Sequence, residues 1–372
     1  MASADEHSEK LERVARLAHS AGVQGILLAG HHNVAWLTSG RGNRIDGSRE
    51  TGTARLLVAA DGRRFALANA IEMPRLLDEE LAGLDYEPIE YPWTEDQDPS
   101  RAVRAARSVL GDGVPLGADW PLPDTTGVEP ALARARGLLT YGEIARYRAL
   151  GREAGVMLGG VARSLTPGDD ERDIARRIMD GAVAMRARPI VTLVGSDERL
   201  RRYRHPVPKA AKWKSVVMLA LCAERDGLIV SLSRVVAAGG GPPDLEARTQ
   251  ATASVFGRLL EATRPGATAA HLYGVAADAY AAAGFPGEEL KHHQGGAIGY
   301  RAREWVAHPK SQETVQARQA FSWNPTIPGT KVEDTALVVD DRLEMLTATP
   351  DWPAIALGDE SRPILASGVW RL

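Results

Sequence analysis

The segment LKHHQGGAIGYRAREWVAHP, residues 290–309, sets His292, His293 and His308 in one stretch with Arg301, Arg303 and Glu304, around a glycine pair. Imidazoles exchange protons near neutral pH and bind transition metals. A guanidinium binds a carboxylate through two parallel hydrogen bonds. Three readings follow: a metal site, a metal-free acid–base site, or a site that has lost its chemistry. No HxH or HxxxH spacing supports the first. A further imidazole, His205, stands in YRHP beside Arg201, Arg202 and Arg204. It is a candidate general acid/base, and as readily a surface histidine in a basic loop.

The chain that must position these groups has 372 residues, 44% of them hydrophobic and 25% charged. That mixture suits a globular protein of about two domains. The formal net charge of −3 and the lack of a basic stripe with interleaved aromatics give no reason to expect nucleic acid or an anionic membrane as partner. The single cysteine, Cys222, lies in the apolar run VVMLALCA, where an inert core thiol is favoured over a nucleophile. One cysteine allows no internal disulfide, which suits a reducing cytoplasm. The N-terminal MASADEHSEK lacks the apolar region of a signal peptide, and no run reaches the length of a membrane span. A cytoplasmic location is expected.

Apolar spacing over residues 8–20 predicts an amphipathic helix, and GVQGILLAG a short buried strand. TARLLVAADGRRFALANA reads as a hairpin turning at Asp61-Gly62. This α/β pattern runs to residue 138. From Glu143 a helical face carries Ile144, Tyr147, Leu150, Ala154, Leu158 and Val161. A second helix follows, capped by Asp169 or Asp170. SVVMLALCAERDGLIVSLSRVV is a second hairpin turning near Asp226-Gly227. Helices over 244–263 and 269–283 precede a tail of strand and loop. Helix pairs alternating with antiparallel hairpins indicate an α+β fold. The expected division is 1–138 and 139–372.

In the second part the order SLSR, HHQGGAIGY…REWVAHP, AFSWNPTIPGTKVEDTALVV resembles the pita-bread fold of methionine aminopeptidase, aminopeptidase P, prolidase and creatinase. LVGSDERLRRYRHP resembles the segment that brings a substrate-side histidine into that cleft. NVAWLTSG resembles the smaller N-terminal domain of the prolidase and creatinase branch. The resemblance spans nearly the whole chain.

Metal-dependent members hold two divalent ions with two aspartates, a histidine and two glutamates. Matched one at a time, these positions fall on Ala220, Ser231, Gly296, Asn324 and Glu333. Ala220 and Ser231 are expected roughly opposite each other across the hairpin. Only Glu333 keeps a ligand's chemistry, so the resemblance implies no metal and no other cofactor. A mononuclear site of Glu333 with His292 or His293 is the disfavoured alternative.

Creatinase, which hydrolyses a C–N bond without metal, supplies the remaining expectations. Its histidine matches His205 and one of its substrate-binding glutamates matches Glu333, which make up the expected catalytic pair. Its other glutamate falls on Ser233, so creatine itself is not expected as substrate. Arg303 and Glu304 match the family's His-Glu pair. Arg303 then binds a substrate carboxylate, or instead forms an internal ion pair with Glu333. Glu333 orients water or meets a substrate cation, or else pairs with Arg234 or another arginine. Of His292 and His293, one faces the cleft and the other packs. Asn324, Ser231 and Ser233 complete the substrate-binding set. Trp305 and Trp323 are favoured as core. The function expected is metal-independent hydrolysis of a C–N bond in a small, carboxylate-bearing substrate. The alternatives are a non-catalytic peptide- or protein-binding module and a divergent Xaa-Pro-type metallopeptidase. The resemblance also implies a homodimer, with loop 38–52 and its Arg41, Arg44 and Arg49 as a candidate lid.

Overall fold

The computed structural model describes residues 4–339, 342–358, 361 and 363–372. Residues 1–3 of the polar N-terminal stretch lie outside the described residues. The chain divides into two compact units, Met1–Glu143 and Ile144–Leu372. Among the described residues no helix is long and apolar enough to cross a membrane.

The first unit is built on a six-stranded sheet. In chain order its elements are α1 (Ala4–Ala21), β1 (Gly25–Gly30), α2 (His31–Leu37), β2 (Thr51–Ala59), β3 (Arg64–Asn69), α3 (Met73–Arg75), β4 (Glu87–Tyr91), α4 (Arg101–Leu110), β5 (Leu116–Ala118), β6 (Thr125–Gly127) and α5 (Glu129–Gly137). The strand order is β4-β3-β2-β1-β5-β6. β2 and β3 are the antiparallel hairpin expected around Asp61-Gly62. The central strands are buried on both faces, which explains their unbroken apolar runs. Arg41, one of the suggested lid arginines, donates to the carbonyls of Glu80 and Ala82, and Arg49 pairs with Asp46.

The second unit begins in α6 (Tyr141–Arg163) and α7 (Glu171–Ala184). Asp170 is the N-cap of α7, accepting from the Arg172 amide at 2.8 Å. β7 (Arg188–Ser196), α8 (Asp197–Arg202), β8 (Val216–Arg225) and β9 (Leu228–Ala237) follow. Asp226 and Gly227, both at positive φ, make the two-residue turn between β8 and β9. Then come α9 (Leu245–Ala262), α10 (Ala269–Ala282), β10 (Gly295–Ile298), β11 (Trp305–Val306), β12 (Ala320–Trp323), β13 (Thr326–Ile327), β14 (Thr330–Lys331), β15 (Asp334–Val339), β16 (Arg342–Met345), β17 (Ala354–Leu357), β18 (Ile364–Ser367) and β19 (Val369–Arg371). The two main sheets have the orders β19-β9-β8-β7 and β11-β10-β12-β15-β16. They are stitched together by Thr335 Oγ1, which accepts from the Ser231 amide and donates to the Ser231 carbonyl, and by the Ser233 amide donating to the Glu333 carbonyl. Phe256, Leu259, Phe321 and Trp323 pack in the core behind the second sheet.

The hairpin register corrects one expectation. Ala220 pairs with Ser233 and Cys222 with Ser231, so Ala220 and Ser231 are diagonal neighbours rather than opposite. All four side chains still share one face, because positions two apart on a strand point the same way.

Candidate active site

His205 sits in an irregular loop after α8, and the sequence around it explains why that loop is held. Glu171, fully buried at the start of α7, accepts from the Ser196 amide at 2.9 Å, the Ser196 hydroxyl at 2.7 Å and the Lys209 amide at 3.0 Å, and pairs with Arg199 at 3.1 Å. Asp197 accepts from the amides of Lys214, Ser215 and Val216. Gly195 leaves room for Pro206, whose ring atom would lie 2.3 Å from any Cβ at 195. Arg204, beside His205, is tied to Glu288.

The loop meets the 290s segment through imidazoles. His205 Nε2 lies 2.9 Å from His292 Nε2, so one nitrogen donates and the other accepts. The rings of His292 and His293 stack at 4.5 Å between centroids, and His205 is 5.9 Å from His293 on the same measure. His308 belongs elsewhere: it is exposed, and its Nδ1 accepts from the Lys310 amide. Burial lowers the His205 imidazole below its ordinary value, helped by Lys331 and opposed by Glu333. Burial, Lys331 and the neighbouring imidazoles push His292 down to about 2. Desolvation and Arg303 bring His293 to about 4. All three shifts favour the neutral imidazole.

Beside them lies a charged group. Glu333 is buried, with Lys331 Nζ at 2.7 Å and Arg303 Nη2 at 3.6 Å. Burial pushes its carboxyl up, but Lys331 and Arg303 outweigh burial and hold it below the usual carboxylate range. The internal Arg303–Glu333 pair is thus formed, whereas Arg234 turns away and pairs with the buried Asp334 at 3.0 Å. Asn324 donates its amide to the Gln294 carbonyl at 3.0 Å. Among the described residues, Asn324 Oδ1, Ser233 Oγ, Arg303 Nε and His292 Nδ1 are buried without a hydrogen-bond partner. Such orphaned groups cost free energy unless a ligand or water meets them. Ser231 Oγ is 3.0 Å from Cys222 Sγ, and burial raises that thiol's pKa. Glu304 Oε1 accepts from the amides of Tyr300 and Arg301, holding the turn after β10. Trp323 is core, its indole donating to Thr263.

The sequence matches Metallopeptidase family M24 over residues 145–340, more than half of the chain. The chain belongs to that family. The fold of this M24 protein is similar to dipeptidase PepE from Mycobacterium ulcerans, with a TM-score of 0.79, 20% identity, and coverage of 93% of this chain and 96% of that one. It is also similar to a Xaa-Pro dipeptidase from Bacillus anthracis, with a TM-score of 0.75, 17% identity, and coverage of 98% and 100%. The N-terminal domain of FACT complex subunit SPT16 from Cicer arietinum matches with a TM-score of 0.70 and 11% identity, covering 92% of this chain and 96% of that chain. No curated protein matches. The pita-bread architecture read from the sequence is therefore the fold of this chain.

The metal pair that the resemblance associates with M24 enzymes does not fit the residues present here. Ala220 and Gly296 offer no side-chain donor, and Ser231 and Asn324 are neutral. Gly296 also cannot regain a side chain easily, because a Cβ there would lie 2.1 Å from the Trp305 carbonyl oxygen. The one remaining carboxylate, Glu333, is held by two cations.

Of the residues around this group, Lys331 escaped the sequence reading, and Cys222 was read only as an inert core thiol. Lys331 and Cys222 each stand two positions from a residue already singled out, Glu333 and Ala220. Strand alternation within β8 puts Cys222 and Ala220 on one face and was the available signal there, whereas Lys331 ends β14 and Glu333 lies between strands, so no such period links them.

Proposed function

We propose that this M24 protein hydrolyses a C–N bond in a small, carboxylate-bearing substrate without a metal pair, with His205 as general acid/base. The observation that carries this reading is a cluster of imidazoles within electrostatic reach of a Glu333 flanked by Lys331 and Arg303. His205 takes a proton from water as the water oxygen bonds to the substrate carbon, then gives that proton to the departing nitrogen. Glu333 orients the water. Arg303 and Lys331 supply positive charge for the substrate carboxylate and for negative charge developing on the attacked group. Asn324 Oδ1 and Ser233 Oγ are free to bind substrate. The functional unit proposed is a cytoplasmic homodimer.

The test is a screen of chelator-treated protein against N-acyl, ureido and guanidino acids and dipeptides, following amine release. Turnover indifferent to chelator is expected, and His205→Gln lowers kcat by about 10²–10⁴-fold with KM little changed. Ligand binding without turnover would instead favour a binding module. Turnover abolished by chelator would favour a metallopeptidase.

A further inference from the structure

His205, His292 and His293 each offer one ring nitrogen, and these nitrogens lie within 4.8 Å of one another. None of the three is among the five positions matched to the family's metal ligands. His205 Nε2 and His292 Nε2 point at each other at 2.9 Å, and the stacked ring of His293 closes the group. A tetrahedral ion bound at about 2.0–2.1 Å spaces its ligand nitrogens roughly 3.3 Å apart. The facing pair needs only a slight opening to reach that spacing, and His293 a small inward swing.

We infer that His205, His292 and His293 form a site for a single borderline transition-metal ion, such as Zn²⁺ or Co²⁺, and that filling it switches off His205. Three imidazoles with no carboxylate select such ions over Mg²⁺ and Ca²⁺, which require oxygen ligands. Lys331 and Arg303 outnumber Glu333, so the neighbourhood carries one net positive charge. The fourth position therefore takes an anion, hydroxide or a carboxylate, and binding is reversible rather than structural. The site stands on this geometry alone. Its regulatory consequence rests on the proposed role of His205, because a coordinated nitrogen cannot accept a proton.

The experiment is a titration of the chelator-stripped full chain with Co²⁺, read by visible d–d absorption, followed by displacement with Zn²⁺. One ion per chain is expected, with a tetrahedral spectrum, displaced by Zn²⁺ and not by Mg²⁺. His292→Ala and His293→Ala each weaken uptake by more than about tenfold, while Glu333→Gln retains it. His293 is exposed, so its variant tests the site even if His292→Ala fails to fold. Absence of uptake at millimolar Co²⁺, uptake persisting in the combined His292→Ala and His293→Ala variant, or uptake lost in a folded Glu333→Gln would each overturn the site. Co²⁺ binding by a protein that turns over no substrate would remove the switch and the hydrolase reading but leave the site. Turnover that depends on His205 without Co²⁺ uptake would do the reverse.

Discussion

Lys331 Nζ lies 2.7 Å from Glu333 Oε2, and both side chains are buried. Each of these two neighbours compensates the other's buried charge. Removing one partner of a buried pair leaves an uncompensated charge, which typically costs about 3–5 kcal/mol. Lys331→Met is expected near the lower end, because Arg303 still stands 3.6 Å from Glu333. Urea unfolding will show this, and Lys331→Met combined with Glu333→Gln is expected to recover most of the loss.

Position 296 tests whether the family's metal chemistry can be restored. Gly296→Ala puts a Cβ 2.1 Å from the Trp305 carbonyl oxygen, so β11 must move. A cost of about 1–3 kcal/mol is expected, seen as a lower melting temperature. Gly296→His, combined with Ala220→Asp, Ser231→Asp and Asn324→Glu, is expected not to bind two metals per chain. Stoichiometric uptake of two ions by that variant would contradict the closed geometry described.

Among the described residues, Arg303 Nε is buried without a partner, while Nη1 donates to the Ala302 carbonyl and Nη2 makes a long contact to Glu333. If it receives a substrate carboxylate, Arg303→Ala raises KM by about 10–100-fold, the worth of a charged hydrogen bond. The same variant leaves KM for the corresponding neutral amide nearly unchanged. Equal losses for acid and amide would assign Arg303 to structure.

Glu129 in the first unit is a separate, pH-dependent device. Burial raises its carboxyl, but hydrogen bonds from His32 and Asn33 and the charge of Arg136 prevail and hold it at about 2. A carboxyl lowered on folding contributes stability that is full above its unfolded value near 4.5 and is lost as pH falls toward 2. The contribution at neutral pH is on the order of 3 kcal/mol. Glu129→Gln is expected to flatten the stability profile between pH 5 and about 2, measured by denaturant unfolding at each pH.

Much of this fold is legible in the sequence. The Asp226-Gly227 turn and the alternation of β8 and β9 put Ala220, Cys222, Ser231 and Ser233 on one face. Pair register was less accessible, because a shift of two residues keeps every side chain on its own face and leaves the apolar pattern unchanged. That is why Ala220 meets Ser233 and not Ser231. The meeting of His205 with His292 and His293 could not be derived from spacing. Both segments are irregular, and the direction of a loop side chain follows from anchors such as Glu171 and Gly195 rather than from a period. The fate of Arg303 was open for a related reason: a long side chain reaches several partners, and only the position of Lys331 makes clear how Glu333 is shared.

The four-donor embrace of Glu171 has a consequence for anyone altering this cleft. It separates the foundation of the His205 loop from its working tip, since no atom of Glu171 belongs to the imidazole group. Substitutions at the exposed His205 or His293 are expected to change the imidazole group while its foundation stays put. A substitution at Glu171 would pass for a chemical defect although no reacting group had been touched. Screens for altered specificity will therefore yield two kinds of inactive clone, and only those still melting like the parent carry information about the reaction.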